Sequence, residues 1–415
     1  MGNIMKTTTK ILICMVAAAV MAACGNRKTT PENSMVYRSL GNTGLTASEI
    51  GLGCGGFGEM TKEEARAFMD VAIDSGVNYI DLYDANPVVR DNIGYAIQGR
   101  RDKMQIQGHI GTCWVDGQYK RTRDVEESKH GFEDMLQRLG TDYIEVGMIH
   151  ITDTPEQWQE LEESPFMEYV QQLKNEGRIK HIGVSSHNAQ VALMAAKSGK
   201  VEVIMFSMNP AFDRLQAGAN VWDPKSYETM LAGIDPVRVE LFDYCAQNGI
   251  AITVMKAFGG GGKLLQAETS PLKVALTPVQ CISYSLAKPC VASVLCGAGN
   301  IDELKADLHY LHATDAEKEY MSVLAVSNVQ SVSLGDCTYC SHCAPCPQGI
   351  NIAKVNKCLD RAVAEGKVSP ELQQEYDAME HHASDCVECG ACESRCPFDV
   401  SIRQRMKEAV KVFGK

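Results

Sequence analysis

The chain has 415 residues, 45% of them hydrophobic, which is too long for one small domain and ample for buried cores of ordinary density. Its 40 basic and 52 acidic residues leave a net charge of -12, which argues against nucleic acid as a partner. Seventeen cysteines are many, and nine of them crowd into residues 337–396, unlike the dispersed pairs of a secreted disulfide scaffold.

Residues 1–23 read as a secretory signal, with Lys6 and Lys10 ahead of an apolar run at 11–23 that is too short to span a membrane. The run closes on Met21-Ala22-Ala23-Cys24-Gly25, which resembles a bacterial lipobox. That resemblance implies a diacylated Cys24 as the mature first residue and a lipid anchor to the membrane. It places the protein on the periplasmic side of the cell envelope. If the signal does not act, the segment is a short buried helix and the protein is cytoplasmic. Residues 24–34 are polar and serve as a tether.

From 35 to 328, short apolar runs alternate with helical patterns, as repeated βα units do. The runs are 49–53, 77–81, 104–108, 143–150, 181–185, 203–207, 250–255 and 291–296. Eight strands with intervening helices in this length suit an α/β fold of the (β/α)8 TIM barrel type better than an open sheet. Chemistry in such a barrel sits where strands end. Asp81 closes the second strand, His109 the third, His150 the fourth, and Ser185 and Ser186 the fifth. Asn209 follows the sixth, Lys256 closes the seventh, and Gly297 opens the turn after the eighth. Barrel cysteines such as Cys54, Cys245, Cys281 and Cys290 read as small core residues.

The stretch from Tyr37-Arg-Ser-Leu-Gly to Glu49-Ile-Gly-Leu-Gly resembles the opening hairpin and first strand of the aldo-keto reductases. Gly76-Val-Asn-Tyr-Ile-Asp, Arg138-Leu-Gly-Thr-Asp-Tyr-Ile, Met148-Ile-His, Gly177-Arg-Ile-Lys-His-Ile-Gly-Val-Ser-Ser and Met255-Lys-Ala-Phe-Gly-Gly-Gly extend the match over almost the whole barrel. The resemblance implies hydride transfer from NADPH to a carbonyl, with a tyrosine as proton donor, a lysine and an aspartate that tune it, and a histidine that orients the substrate. Asp81 matches the aspartate and His150 the histidine. Asn86 stands at the tyrosine position, where an amide cannot act as a general acid, and His109 stands at the lysine position. A histidine there can donate a proton. Asp81, His109 and His150 are therefore expected to share a catalytic pocket, with a metal site as a minor variant. Tyr83 is the nearest replacement phenol and reads as a packing residue.

The nucleotide site is altered as well. Glu303 lies near the position of the family's phosphate-binding arginine, where a carboxylate repels a phosphate, and Lys305 is a weaker clamp. The loop of Gly297, Gly299 and Asn300 can still cradle an anion through backbone amides, and the glycines at 259–262 offer a second flexible loop. Ser185, Ser186, Asn209, Lys256, Gly297, Gly299 and Asn300 are the expected cofactor-binding set. NAD(P)H or a flavin is the expected occupant.

The second cysteine run, Cys386, Cys389, Cys392, Cys396 and then Pro397, has the C-x2-C-x2-C-x3-C-P spacing of bacterial ferredoxins. The first, Cys337, Cys340, Cys343, Cys346 and Pro347, is one residue shorter before its last cysteine. Eight thiolates supply two [4Fe-4S] clusters, so residues 329–415 resemble the ferredoxin-type module of one branch of the family. Two-cluster ferredoxins cross their last cysteines over, which implies Cys337, Cys340 and Cys343 with Cys396, and Cys386, Cys389 and Cys392 with Cys346. A pair of structural zinc sites is the alternative. Residues 352–380 read as a helical insert, with Cys358 packed inside, that docks the module on the barrel.

The expected function is an oxidoreductase acting on a small carbonyl or hydroxyl substrate, with the clusters feeding or draining electrons and a redox partner protein beyond them. The alternative is a barrel without catalysis that serves as a membrane-tethered electron carrier or ligand-binding lipoprotein.

Overall fold

The computed structural model describes residues 35–231, 233–325, 337, 343–396 and 400–415. The expected signal and tether, including Cys24, lie outside the described residues, as does Cys340. An antiparallel hairpin of β1 (Tyr37–Ser39) and β2 (Thr46–Ser48) comes first. It is followed by β3 (Ile50–Gly53), β4 (Tyr79–Leu82), β5 (Gln105–Ile110), a second hairpin of β6 (Thr112–Val115) and β7 (Gln118–Arg121), then β8 (Ile144–Ile149), β9 (Ile179–Ser186), β10 (Val203–Ser207), β11 (Ala251–Met255) and β12 (Val291–Cys296).

Eight of these strands close a parallel barrel in the order β3, β4, β5, β8, β9, β10, β11, β12, and the ring shuts where Leu295 faces Gly51. Each expected strand is present, β10 and β12 with the expected bounds and the others with edges shifted by at most two residues. At β4 the strand starts two residues later than expected, and Asn78 before it exchanges hydrogen bonds with Ser48 of the first hairpin. The strand runs on to Leu82, so Asp81 sits one residue inside it. β8 is buried along its whole length, as a parallel strand covered by helices must be.

The helices follow from their caps and stripes. In Lys62–Asp74, Thr61 and Glu64 form a capping box, and Ala65, Phe68, Met69 and Ala72 recur at helical spacing to make the buried face. Inside the barrel, Leu40 and Ala47 of the first hairpin close the floor, with Val146, Met148, Val203, Ala251 and Ala292 in the same apolar cluster. Side chains alternate along a strand, so Tyr79 and Asp81 of β4, and Gln107 and His109 of β5, face inward together.

The tail has its own core, in which Val355, Cys358, Leu359, Leu372, Tyr376, Met406 and Phe413 pack with Cys337, Cys343 and Cys392. Tyr376 stacks on Phe413 at 4.1 Å. The insert folds as helices Ile352–Glu365 and Pro370–Asp377, and Cys358 is buried there as expected. The tail touches the barrel where Asn351 and Lys354 each reach the Glu59 carboxylate at 2.8 Å, in the turn that follows β3. That contact uses the first turn of the insert and the residue before it. Among the described residues no helix is long and apolar enough to cross a membrane.

Candidate active site

The end of the barrel where strands finish gathers Asp81, His109 and His150 into one buried chain, each at most 2% exposed. His109 and His150 share a hydrogen bond between their Nδ1 atoms at 2.7 Å, and His109 Nε2 lies 3.1 Å from Asp81 Oδ1. Gln107 fixes the aspartate, since its Nε2 donates to Asp81 Oδ1 at 2.7 Å. Its Oε1 accepts from the Tyr79 and Thr253 hydroxyls, each at 3.0 Å. Both ring nitrogens of His109 are thus engaged. Hydrogen bonds link the three side chains in sequence from Asp81 to His150.

Sequence reasoning missed Tyr119. It arrives on β7, in the hairpin that hangs from β5, and its hydroxyl lies 2.6 Å from His150 Nε2. The hairpin is held by Arg123, whose Nη2 donates to the carbonyl oxygens of His150 and, at 3.0 Å, of Ile151. Burial, then repulsion by Arg121, brings the Arg123 guanidinium down to about 10. Gly131 lets the hairpin lie against the helix Val125–Leu139, because a Cβ there would stand 2.2 Å from the Thr112 carbonyl oxygen. The findable signal was Asp116-Gly117. Both residues have positive φ, 52° and 75°, as the two central residues of a tight type I′ hairpin turn require.

Asn86 has a structural task. Its side chain accepts from the Val88 amide at 3.0 Å and caps the helix Pro87–Ile97. Tyr83 is partly buried and packs on the core. Cys54, Cys245, Cys281 and Cys290 are buried, and burial pushes each thiol up, as expected of packing cysteines.

The seven cofactor candidates fall into three loop groups. Ser185 Oγ accepts from the Ile151 amide at 2.7 Å, and Ser186 Oγ donates to Asp153 Oδ1 at 3.3 Å. Burial raises the Asp153 carboxyl, but His187 beside it, with the hydrogen bonds from His187 and Ser186, brings it below its ordinary range. Asn209 donates to the Lys256 carbonyl at 3.0 Å, and Lys256 Nζ lies over the Trp222 ring at 5.6 Å. Gly297, Gly299 and Asn300 form the third group. There the Gly299 amide donates to Glu303 Oε2 at 2.7 Å, and Asn300 caps the following helix through the Glu303 amide. A carboxylate seated on that amide opposes a phosphate at that amide. The four glycines at 259–262 all have positive φ.

In the tail, Cys346, Cys386, Cys389 and Cys392 line one cavity, with Ile402 and Met406 among its apolar walls. Arg395 is 8% exposed, and its Nη2 donates to the carbonyl oxygens of Cys343 and, at 2.7 Å, of Pro345. Its Nε and Nη1 are buried without a hydrogen-bond partner among the described residues. Thiols ringing a cavity and orphaned N–H donors beside Cys392 and Cys396 fit an iron–sulfur cluster, whose sulfides accept hydrogen bonds.

Comparison with known proteins matches residues 49–277 to the aldo/keto reductase family and residues 336–401 to the 4Fe-4S dicluster domain. An uncharacterized oxidoreductase, YqkF of Bacillus subtilis, is 28% identical over 313 residues, covering 72% of this chain and 98% of its own. Protein tas of Escherichia coli is 24% identical over 349 residues, covering 71% and 98%. The solved holo form of aldo-keto reductase AKR11C1 from Bacillus halodurans superposes with a TM-score of 0.56 at 25% identity, covering 72% of this chain and 98% of that one. Each match uses nearly the whole relative and less than three quarters of this chain. With a closed eight-stranded barrel and a family match over more than half its length, the chain belongs to the aldo/keto reductase family and is an oxidoreductase with a 4Fe-4S dicluster domain appended.

Proposed function

We propose that the protein interconverts a small carbonyl compound and its alcohol at the Asp81–His109–His150 site, with electrons passing through two [4Fe-4S] clusters instead of arriving on NADPH. The observation that carries this reading is where the tail is fastened. Glu59 lies in the turn leaving β3, which belongs to the same end of the barrel as the histidine site. Glu303 on the Gly299 amide and His109 in place of a lysine count in the same direction, because both weaken the nicotinamide route. Cys386, Cys389, Cys392 and Cys346 would hold one cluster, and Cys337, Cys340, Cys343 and Cys396 the other. Clusters supply one electron at a time, so a bound two-electron carrier, flavin or nicotinamide, mediates at the barrel. A redox partner protein recharges them.

The test is carbonyl reduction by the anaerobically reconstituted full-length protein across an aldehyde and ketone panel, with reduced viologen or NADPH as donor. Turnover with viologen and not with NADPH is expected. Turnover with NADPH alone restores the ordinary family route, and no turnover with either leaves the barrel a non-catalytic carrier.

The basic residues, apolar run and Ala22-Ala23-Cys24-Gly25 also support a lipid anchor at Cys24 and an envelope location. Palmitate should label the expressed protein and not Cys24→Ala, and an unlabelled parent overturns the anchor.

A further inference from the structure

We propose that Tyr119 is the proton donor of the barrel site and that His150, His109 and Asp81 form the relay that reloads it, a deepening that rests on the function proposed above. The directions of the hydrogen bonds follow from Gln107. Its amide must turn its NH2 toward Asp81, since a carboxylate only accepts, and its carbonyl oxygen then receives the Tyr79 and Thr253 hydroxyls. Asp81 also accepts from His109 Nε2, so the neutral His109 ring carries its proton there and its Nδ1 accepts. His150 Nδ1 must then donate, His150 Nε2 must accept, and the Tyr119 hydroxyl donates to it. Asp81 on β4, His109 on β5, His150 just past β8 and Tyr119 on the hairpin thus share one polarity.

One added proton reverses only the last link. With both nitrogens of His150 protonated, Nδ1–H still donates to His109, the Asp81 carboxylate at the far end balances the charge, and Nε2–H now donates to the Tyr119 oxygen. The phenol proton is thereby released to a substrate. In the reduction, a bound flavin or nicotinamide would supply the hydride equivalent to the carbonyl carbon, and the chain's own residues supply the proton. The Tyr119 O–H bond breaks as the substrate O–H bond forms, and the phenolate oxygen takes the proton from His150 Nε2. The relay returns to its neutral form and regains one proton from solvent. A phenol does here what the family places on another element, where this chain has the helix-capping Asn86.

The test is turnover of the holoenzyme with reduced viologen in Tyr119→Phe and in protein carrying 3-fluorotyrosine at position 119, which keeps the shape and changes the acidity. Loss of a positioned general acid predicts that Tyr119→Phe lowers kcat by about 100-fold or more with KM within a few-fold. The fluorinated protein should change rate several-fold. Tyr119→Phe within threefold of the parent, or a fluorinated protein at the parent's rate, overturns the assignment. If the parent turns over nothing, the proposed function fails and the relay is judged separately by nitrogen-15 histidine spectra of the oxidised holoprotein, assigned with His109→Gln. His150 should carry its proton on Nδ1, and its Nε2 signal should move in Tyr119→Phe. An Nε2 signal that does not respond overturns the relay.

Discussion

The barrel and the tail solve the same problem, closing a core, with different materials. The barrel encloses an apolar cluster drawn from all eight strands and their helices, and even its polar chain ends on groups the protein itself supplies, Gln107, Tyr79 and Thr253. The tail is small, its core includes Cys337, Cys343 and Cys392, and two donors of Arg395 have no acceptor among the described residues. A fold of that size gains little from apolar burial alone, so ligand binding becomes folding energy. The difference teaches that the tail's stability and its redox role share one cause, whereas the barrel's fold is independent of its chemistry. The largest expected effect follows. Removing iron with a chelator should strip hydrogen-exchange protection from Ile352–Glu365, Pro370–Asp377 and Ile402–Phe413 while the barrel strands stay protected. Retained protection in those helices would break the contrast.

The same contrast explains what could be read from the sequence. Cysteine spacing is local chemistry, so the two runs declare themselves, and the apolar runs of parallel strands are continuous enough to find all eight. Asp81, His109 and His150 were legible because strand ends point at one face. Tyr119 was not, because β7 is four residues long and mostly polar, and its partner in the site is 31 residues away, just past the end of β8. Only the Asp116-Gly117 turn marks the hairpin, and it says nothing of where the hairpin leans. Glu303 was noticed as a carboxylate near the loop, but its contact with the Gly299 amide depends on the cap geometry of the following helix and could not be read from the sequence.

A second expectation sharpens the barrel side, which carries its charges at a cost that iron does not touch. Burial, then repulsion by Glu303, pushes the Asp307 carboxyl up to about 7. The folded barrel keeps that proton from the ordinary carboxylate range up to about pH 7, where the unfolded chain has already released it. Stability contributed this way is present at low pH and lost as pH rises through that window, by a few kcal/mol at about 1.4 for each tenfold fall in proton concentration. Thermal midpoints of the barrel should therefore fall between pH 5 and pH 7.5, and Asp307→Asn should flatten the slope. The tail, followed by its cluster absorbance, should not share it. An equal slope in Asp307→Asn would assign the pH dependence elsewhere.

The smallest expected effect is at the junction. Glu59 receives both Asn351 and Lys354, but the groups are exposed, and exposed ion pairs contribute little to stability because water and salt screen them. Glu59→Lys, which sets like charges against each other, should leave the melting of both modules unchanged. If the junction aligns the tail for electron delivery, the same change should slow viologen-driven turnover a few-fold while the reduction potentials of the clusters stay where they were. Raising salt in the parent should give part of the same slowing, since it weakens the same contact. A turnover rate indifferent to both changes would mean that the chain between the barrel and the tail, rather than the Glu59 contact, sets how the two communicate.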